Sequence, residues 1–381
     1  MSKSPDVQAL LLKDKEVPAE EIPNYISGAD VVVSWREMDE AGYVHAELFR
    51  GLDPIKMGGN TIYPPIFVMD SDDAVDWVHP FNYAFASLGI RDFDGRVLSP
   101  GEFVSWTNKD ASITKLWEDK KTRGQSAVVF DIARNLKSIS YHYDACRAAA
   151  GVTVTCEPLA KAYREQGVEN VYVYPNSIIP EDHHFPPLQP HSGIRILWEG
   201  GGSHVESWIP IKQGLIEVLR ENPQAKLVVY GSSFPWMGKE IPKDQIEIHD
   251  WTDYAAYKLM RATLTADINL CPLLDMPFTR CKSAIRWYEG SLGPNPEPAL
   301  AANVGPYKEI VDGETGLLYN NPQEFKEKLT ALIHNADLRK RLGVAGQKWV
   351  LDNRTAEKTV PGLLDFYKEL KAKQRQEALR P

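Results

Sequence analysis

Short apolar runs alternating with amphipathic stretches set the tightest limit on how this chain can fold. ADVVVSW (Ala29–Trp35) and PIFVMD (Pro65–Asp70) read as buried strands, AVVFDIARNL as another, and GVTVTCEP (Gly151–Pro158) as a further one. A helix over LAKAYREQG follows, stopped by Gly167, and VYVYPNSI (Val171–Ile178) returns to strand before a Pro–Asn turn. The pattern then restarts. RILWEGGGSHVESW is a strand running into a glycine-rich turn, and the helix after it places Trp208, Ile211, Leu215 and Leu219 on one face. KLVVYGSS, IEIHDW and DINLCPL supply further strands. A β-α-β-α order needs crossover helices, so parallel sheets covered by helices on both faces are predicted.

The chain has 381 residues, long for one domain. Its best linker is the Pro- and His-rich EDHHFPPLQPHSG, which contains His183 and His184 as solvent-exposed residues. This divides the chain into a first lobe over 1–180, a linker over 181–193 and a second lobe over 194–354. A helical tail over 355–379 carries Leu363, Leu364, Phe366, Tyr367 and Leu370. The expected fold class is α/β, with two Rossmann-like lobes facing across a cleft.

Hydrophobic residues at 43% and charged residues at 25% are those of an ordinary globular protein. The net charge of -9 argues against a nucleic-acid binder, which needs a basic footprint. No apolar run is long enough for a bilayer, and the start lacks the apolar core of a signal peptide. The four cysteines (Cys146, Cys156, Cys271, Cys281) lack metal-ligand spacing and read as reduced structural thiols, which with the rest points to a cytoplasmic protein.

The densest chemistry lies in RCKSAIRWYEGSLG and NVGPYKEIVDGETGLL, between Arg280 and Leu318. Glu289 shares a helix with Lys282 and Arg286, and Tyr307, Lys308 and Glu309 open another short helix after a Gly–Pro turn. A carboxylate can accept from both hydroxyls of a ribose, and Lys or Arg can offset a diphosphate. The loop Gly200–Gly201–Gly202–Ser203–His204 sits between a strand and a helix, where backbone N–H groups can approach an anion. It fits neither the dinucleotide fingerprint nor a P-loop, and a plain tight turn is its bland reading. Trp251, in His249–Asp250–Trp251–Thr252, reads as core or as a stacking platform, core being the plainer reading.

In the first lobe Asp70–Ser71–Asp72–Asp73 ends a strand and leads to His79, Asn82 and Tyr83. Clustered carboxylates of this kind can hold a hard divalent cation or line a cleft. His79 can bond a sugar hydroxyl or sit satisfied in the core.

These segments resemble the donor half of GT-B glycosyltransferases, in particular the family-4-like retaining enzymes. In that family a K-S-x-x-K-W-x-E-like helix precedes a G-x-P-V-x-A-S strand and a VGPY-EIV-G-x-x-GLL segment. The resemblance is strong from about Gly151 to Asp352 and weaker before. It implies transfer of a sugar from a UDP- or GDP-linked donor to a carbohydrate or other hydroxyl acceptor, with retention, no obligatory cofactor and no metal. It implies that Glu289 holds the ribose, that Lys282 with Arg280 offsets the diphosphate, and that Gly200, Gly201, Gly202, Ser203 and Trp251 line the nucleotide. By the same resemblance Tyr307, Lys308 and Glu309 lie along the donor sugar. Asp70, Asp72, Asp73, Asn82 and Tyr83 would face the acceptor, with His79 at the reacting centre and the last helix crossing back to the first lobe.

Two departures stand out. The family's E-x7-E pair would put its first Glu at Cys281, and the compact G-x-P-V strand is replaced by the longer GSLGPNPEPALAANVG. That insertion either reshapes the wall beside the sugar or forms an irregular surface loop. Two alternatives to a transferase remain open: a GT-B nucleotide-sugar epimerase or hydrolase, and an inactive nucleotide-sugar or glycan-binding protein.

Overall fold

The computed structural model describes residues 29–35, 40–80, 85–102, 131–182, 191–293 and 295–379. The calls on Asn82, Tyr83, His183 and His184 lie outside the described residues, as does the start of AVVFDIARNL.

Two parallel sheets carry the fold. In the first lobe β1 (Val31–Trp35), β4 (Ile66–Ser71), β5 (Gly151–Val154) and β6 (Val171–Val173) lie side by side in that order. In the second lobe the order is β12 (Leu317–Tyr319), β11 (Ala299–Ala302), β10 (Ile268–Cys271), β7 (Ile194–Gly200), β8 (Ala225–Gly231), β9 (Ile246–His249). Counted along the chain from β7, this is the 3-2-1-4-5-6 order of the doubly wound fold. The sheet reverses direction of growth between β7 and β10, and the crevice at their carboxyl ends is where such sheets take ligands. A separate antiparallel hairpin, β2 (Ile55–Met57) and β3 (Asn60–Ile62), projects from the first lobe.

The strands are continuous apolar runs because both faces are covered: β4 is buried almost throughout, and β5, β10 and β11 entirely. Trp208, Ile211, Leu215 and Leu219 are all buried, as their spacing predicts, the first in a 3-10 turn and the last two in the helix Lys212–Glu221.

One strand expectation is overturned. The described part of AVVFDIARNL is the start of the helix Ile132–Ala148, not a strand. Asp131 caps it, its carboxylate accepting from the backbone N–H of Ala133 and Arg134. The buried residues Ile132, Asn135, Ile139, His142, Tyr143 and Cys146 recur at helical spacing, which the short apolar run before them obscures.

The last helix, Ala356–Glu377, lays Leu370 and Phe366 against Ile66 and Val68 of the first sheet. Phe366 stacks on Tyr172 of β6 at 5.0 Å, and the Lys371 and Gln374 side chains donate to the Pro64 carbonyl. The chain crosses between lobes a second time here, through reciprocal bonds of Ile178 with Arg354 and Ala356. Among the described residues no helix is long and apolar enough to cross a membrane.

Candidate functional site

The crevice between β7 and β10 takes in the helix that carries Glu289 and Arg286, with Arg286 against Gly200 and Gly290 against Asn269. Glu289 and Arg286 stand on the short helix Ile285–Gly290, while Lys282 lies in the turn between that helix and Pro277–Arg280. The single helix expected to carry all three is therefore broken, and the break lets their side chains point to different places.

Arg286 points beneath the glycine-rich turn. It is buried, its guanidinium is 5.7 Å from the Trp198 ring, and Nη1 has no acceptor among the described residues. Gly200 is required here: a Cβ at that position would come 2.9 Å from Arg286 Nη2. Burial opposes the Arg286 charge, while Tyr307, Cys271 and Glu199 favour it, so its pKa is raised on balance. Tyr307 is itself buried beside Arg286 and Cys271; burial and then Cys271 push its hydroxyl up, against the pull of Arg286.

Glu289 accepts a hydrogen bond from the Tyr257 hydroxyl at 2.9 Å. Burial, and next the nearby Glu199 carboxylate, push the Glu289 carboxyl up to about 7. Behind it Arg261 is held between Glu199 at 3.0 Å and Glu297 at 2.7 Å, all three nearly sealed from solvent. Glu297 comes from the Pro-rich insertion and is buried in this cluster, whereas Asn295 of the same insertion is exposed.

Lys282 takes the other direction. It is ion-paired with Asp73 of the first lobe and lies 4.2 Å from the Phe278 ring centre. A donor-side and an acceptor-side candidate thus meet across the cleft. Around them Asn176 donates to Ser283 at 2.8 Å, and the Cys156 thiol donates to the Cys281 carbonyl at 3.3 Å. Phe278 and Cys281 pack into the hydrophobic core of the first lobe. The position where a first Glu would stand is therefore an interlobe contact.

Beyond the glycines, the 3-10 turn Gly202–Trp208 carries His204 and Glu206. Burial, and then the charges of Arg286 and Lys282, hold His204 well below its ordinary value, so it is neutral. Burial pushes the Glu206 carboxyl up to about 7, against the pull first of its own backbone N–H and then of Lys282.

Other candidates go elsewhere. Trp251 is 71% exposed, so the core reading of this residue is corrected; its ring lies over Gly231, whose φ of 105° holds the backbone close. Arg280 forms a solvent-exposed pair with Asp275 at 2.6 Å. Glu309 is engaged by Arg354 at 2.6 Å and by the Tyr288 hydroxyl at 2.6 Å, and Lys308 faces solvent. Asp70 accepts from the Thr153 hydroxyl at 2.5 Å. Burial lowers His79 to about 4, leaving it a neutral ring 5.6 Å from Phe93. Asp72 is partly buried at the strand end. Among the described residues no three His, Cys, Asp or Glu side chains group as metal ligands.

Tyr257, Glu199, Arg261, Glu297 and Glu206 were not singled out from the sequence, and Arg286 was noted without a role. One signal was available: a charge at the end of an apolar strand, as Glu199 is in RILWEGG, needs a buried partner.

No protein-family model matches the chain. An uncharacterized glycosyltransferase of Methanocaldococcus jannaschii is 44% identical over 77 residues, a stretch covering 19% of this chain and 22% of that protein. The chain thus matches under a quarter of that relative's length. Sucrose-phosphate synthase from Thermosynechococcus elongatus is similar in structure with a TM-score of 0.55 at 13% identity, over 93% of this chain and 80% of that one. Anabaena HepE in complex with UDP gives a TM-score of 0.48 at 12% identity, over 80% and 72% of the two chains. With its two facing parallel sheets, the chain has the two-lobed GT-B fold expected from its sequence.

Proposed function

We propose that the protein is a glycosyltransferase that moves a sugar from a nucleoside diphosphate to an acceptor hydroxyl in the interlobe cleft. The observation that carries this reading is Arg286: a buried guanidinium with an unpartnered nitrogen, under a glycine-rich turn at the β7–β10 switch point. A buried cation with an open donor calls for an anion, and a forked guanidinium suits phosphate oxygens.

In this reading Arg286 and the Gly200–Gly202 backbone face the diphosphate, with Lys282 beside them. Glu289, oriented by Tyr257, accepts from the ribose hydroxyls, and Trp251 offers an exposed face for the base. The bond between the anomeric carbon and the leaving phosphate oxygen breaks, the acceptor oxygen bonds to that carbon, and its proton passes to the leaving diphosphate. Retention follows from attack on the face the diphosphate leaves. The protein's share is positioning and charge stabilisation.

The test is thermal stability with UDP, GDP, ADP and their sugar nucleotides, each with and without manganese. A ligand that binds only the folded state raises the melting temperature. A shift with one base supports the donor site and identifies the base. No shift with any of them at millimolar concentration would sink the reading. Binding without turnover on a broad acceptor panel would instead favour an inactive binding protein, an outcome for which Cys281 in place of a carboxylate is the motivating observation.

A further inference from the structure

The Glu206 side chain has no place in the account so far. It is completely buried, neither carboxylate oxygen meets a hydrogen-bond partner from another residue among the described ones, and its own backbone N–H lies near enough to favour its charge. A native protein rarely strands a carboxylate in this way without a use for it. Its backbone is firmly set: the next residue, Ser207, is buried with its hydroxyl accepting from the Leu274 N–H at 3.4 Å, and Trp208 is buried in the second-lobe core. The carboxylate is therefore held in place by packing and its own backbone N–H, with no other described residue bonded to it.

Its surroundings narrow what it could hold. It follows the Gly200–Gly202 turn, and the basic side chain whose charge reaches it is Lys282, which Asp73 already neutralises. A metal ion would want further acidic or imidazole ligands, and the described residues group none. A neutral hydroxyl is the remaining class: it donates to a carboxylate without adding a charge to the buried site. The turn after the diphosphate-facing glycines, on the side where the two lobes meet, is where the sugar of a bound donor would lie. The chain's other candidate for a sugar-facing acid is absent, since position 281 is a cysteine turned into the first-lobe core.

We propose that Glu206 binds a hydroxyl of the transferred sugar and so determines which donor sugars the protein accepts. This rests on the glycosyltransferase reading above. The test compares wild type, Glu206→Gln and Glu206→Leu by calorimetric titration with UDP, GDP and ADP and with UDP-glucose, GDP-mannose and ADP-glucose, alongside melting without ligand. The leucine variant is expected to bind the bare nucleotide within about twofold of wild type and the sugar nucleotide at least about tenfold more weakly, with glutamine between them. Without ligand, both variants are expected to melt no lower than wild type, because a stranded carboxylate has been removed.

Equal loss of bare and sugar-linked nucleotides, or unchanged sugar-nucleotide affinity, would overturn the assignment while wild-type binding left the donor site standing. A large fall in the melting temperature of both variants would also overturn it, showing that the carboxylate is structural. Failure of wild type itself to bind any of the six would overturn the donor-site reading, and this proposal with it.

Discussion

The two lobes handle buried polarity in opposite ways. In the first lobe the buried charges close on themselves, though the Thr155 hydroxyl does not: Tyr163 bonds Ser71 at 2.5 Å and His142 at 2.7 Å, and Asp76 takes Tyr143 at 2.8 Å and Arg91 at 3.3 Å. In the second lobe buried polarity is left open. Among the described residues, the buried charged atoms without a hydrogen-bond partner belong to Glu199, Glu206, Arg261 and Arg286, all in that lobe. Glu199 and Arg261 at least form an ion pair; Glu206 has only its own backbone N–H, and the Arg286 Nη1 has no acceptor among the described residues. A satisfied network rigidifies a scaffold, whereas a stranded charge lowers stability unless something arrives to meet it. The contrast separates the part of the molecule that is built for holding shape from the part built for holding a ligand.

The sharpest way to break this contrast is Arg286→Met. If the guanidinium exists for a diphosphate, nucleotide affinity measured calorimetrically falls about 100-fold, on the order of 3 kcal/mol, with the melting temperature unchanged or higher. Arg286→Lys should recover only part of the loss, because an ammonium lacks the fork. A variant that melts well below wild type would place Arg286 with the structural charges instead.

Acidity gives the next largest effect. Glu206 and Glu289 hold their protons up to about 7 in the folded protein, against an ordinary value of 4.5. The folded state therefore binds more protons than the unfolded one across that interval. Their contribution is fully present below pH 4.5 and is lost as pH rises through 7, on the order of 3 kcal/mol for Glu206 alone. Melting temperature should fall from pH 5 to pH 8, roughly speaking, and Glu206→Gln should flatten the slope. Exposed carboxylates such as Glu102, held down to about 2 chiefly by the Ser99 N–H, act in the other direction and only in more acidic solution.

The first lobe should answer differently. Tyr163→Phe removes the hydroxyl shared by Ser71 and His142, and urea denaturation should register a loss of about 1–2 kcal/mol with nucleotide affinity intact. Smaller still is the interlobe pair. Lys282 and Asp73 are both partly exposed, so Asp73→Asn should change stability by less than about 1 kcal/mol. A larger loss would mean that this contact alone holds the lobes together.

The sheets were legible because parallel strands buried on both faces leave near-continuous apolar runs, such as INLC and ALAA. The strand reading of AVVFDIARNL failed over its described residues, where an apolar run abuts a capping Asp. Motif resemblance pointed to Glu289 and the glycine turn as candidates, yet it could not sort Lys282 from Arg286. Both are cations near one carboxylate, and only the broken helix sends one to Asp73 and the other under Gly200. Tyr257, Glu199, Arg261 and Glu297 come from four separate segments, so their convergence is a product of tertiary packing that no local spacing records.

The turn that carries Phe278 and Cys281 has a mechanical meaning. Two side chains of the second lobe are planted in the hydrophobic core of the first, as a ball sits in a socket. Pulling the lobes straight apart would expose them to water, at about 1.5–3 kcal/mol for the phenylalanine alone. Rotation about that point exposes far less. Were the lobes to move relative to one another, rotation about this turn would keep Phe278 and Cys281 seated, with the adjacent Lys282–Asp73 pair moving least.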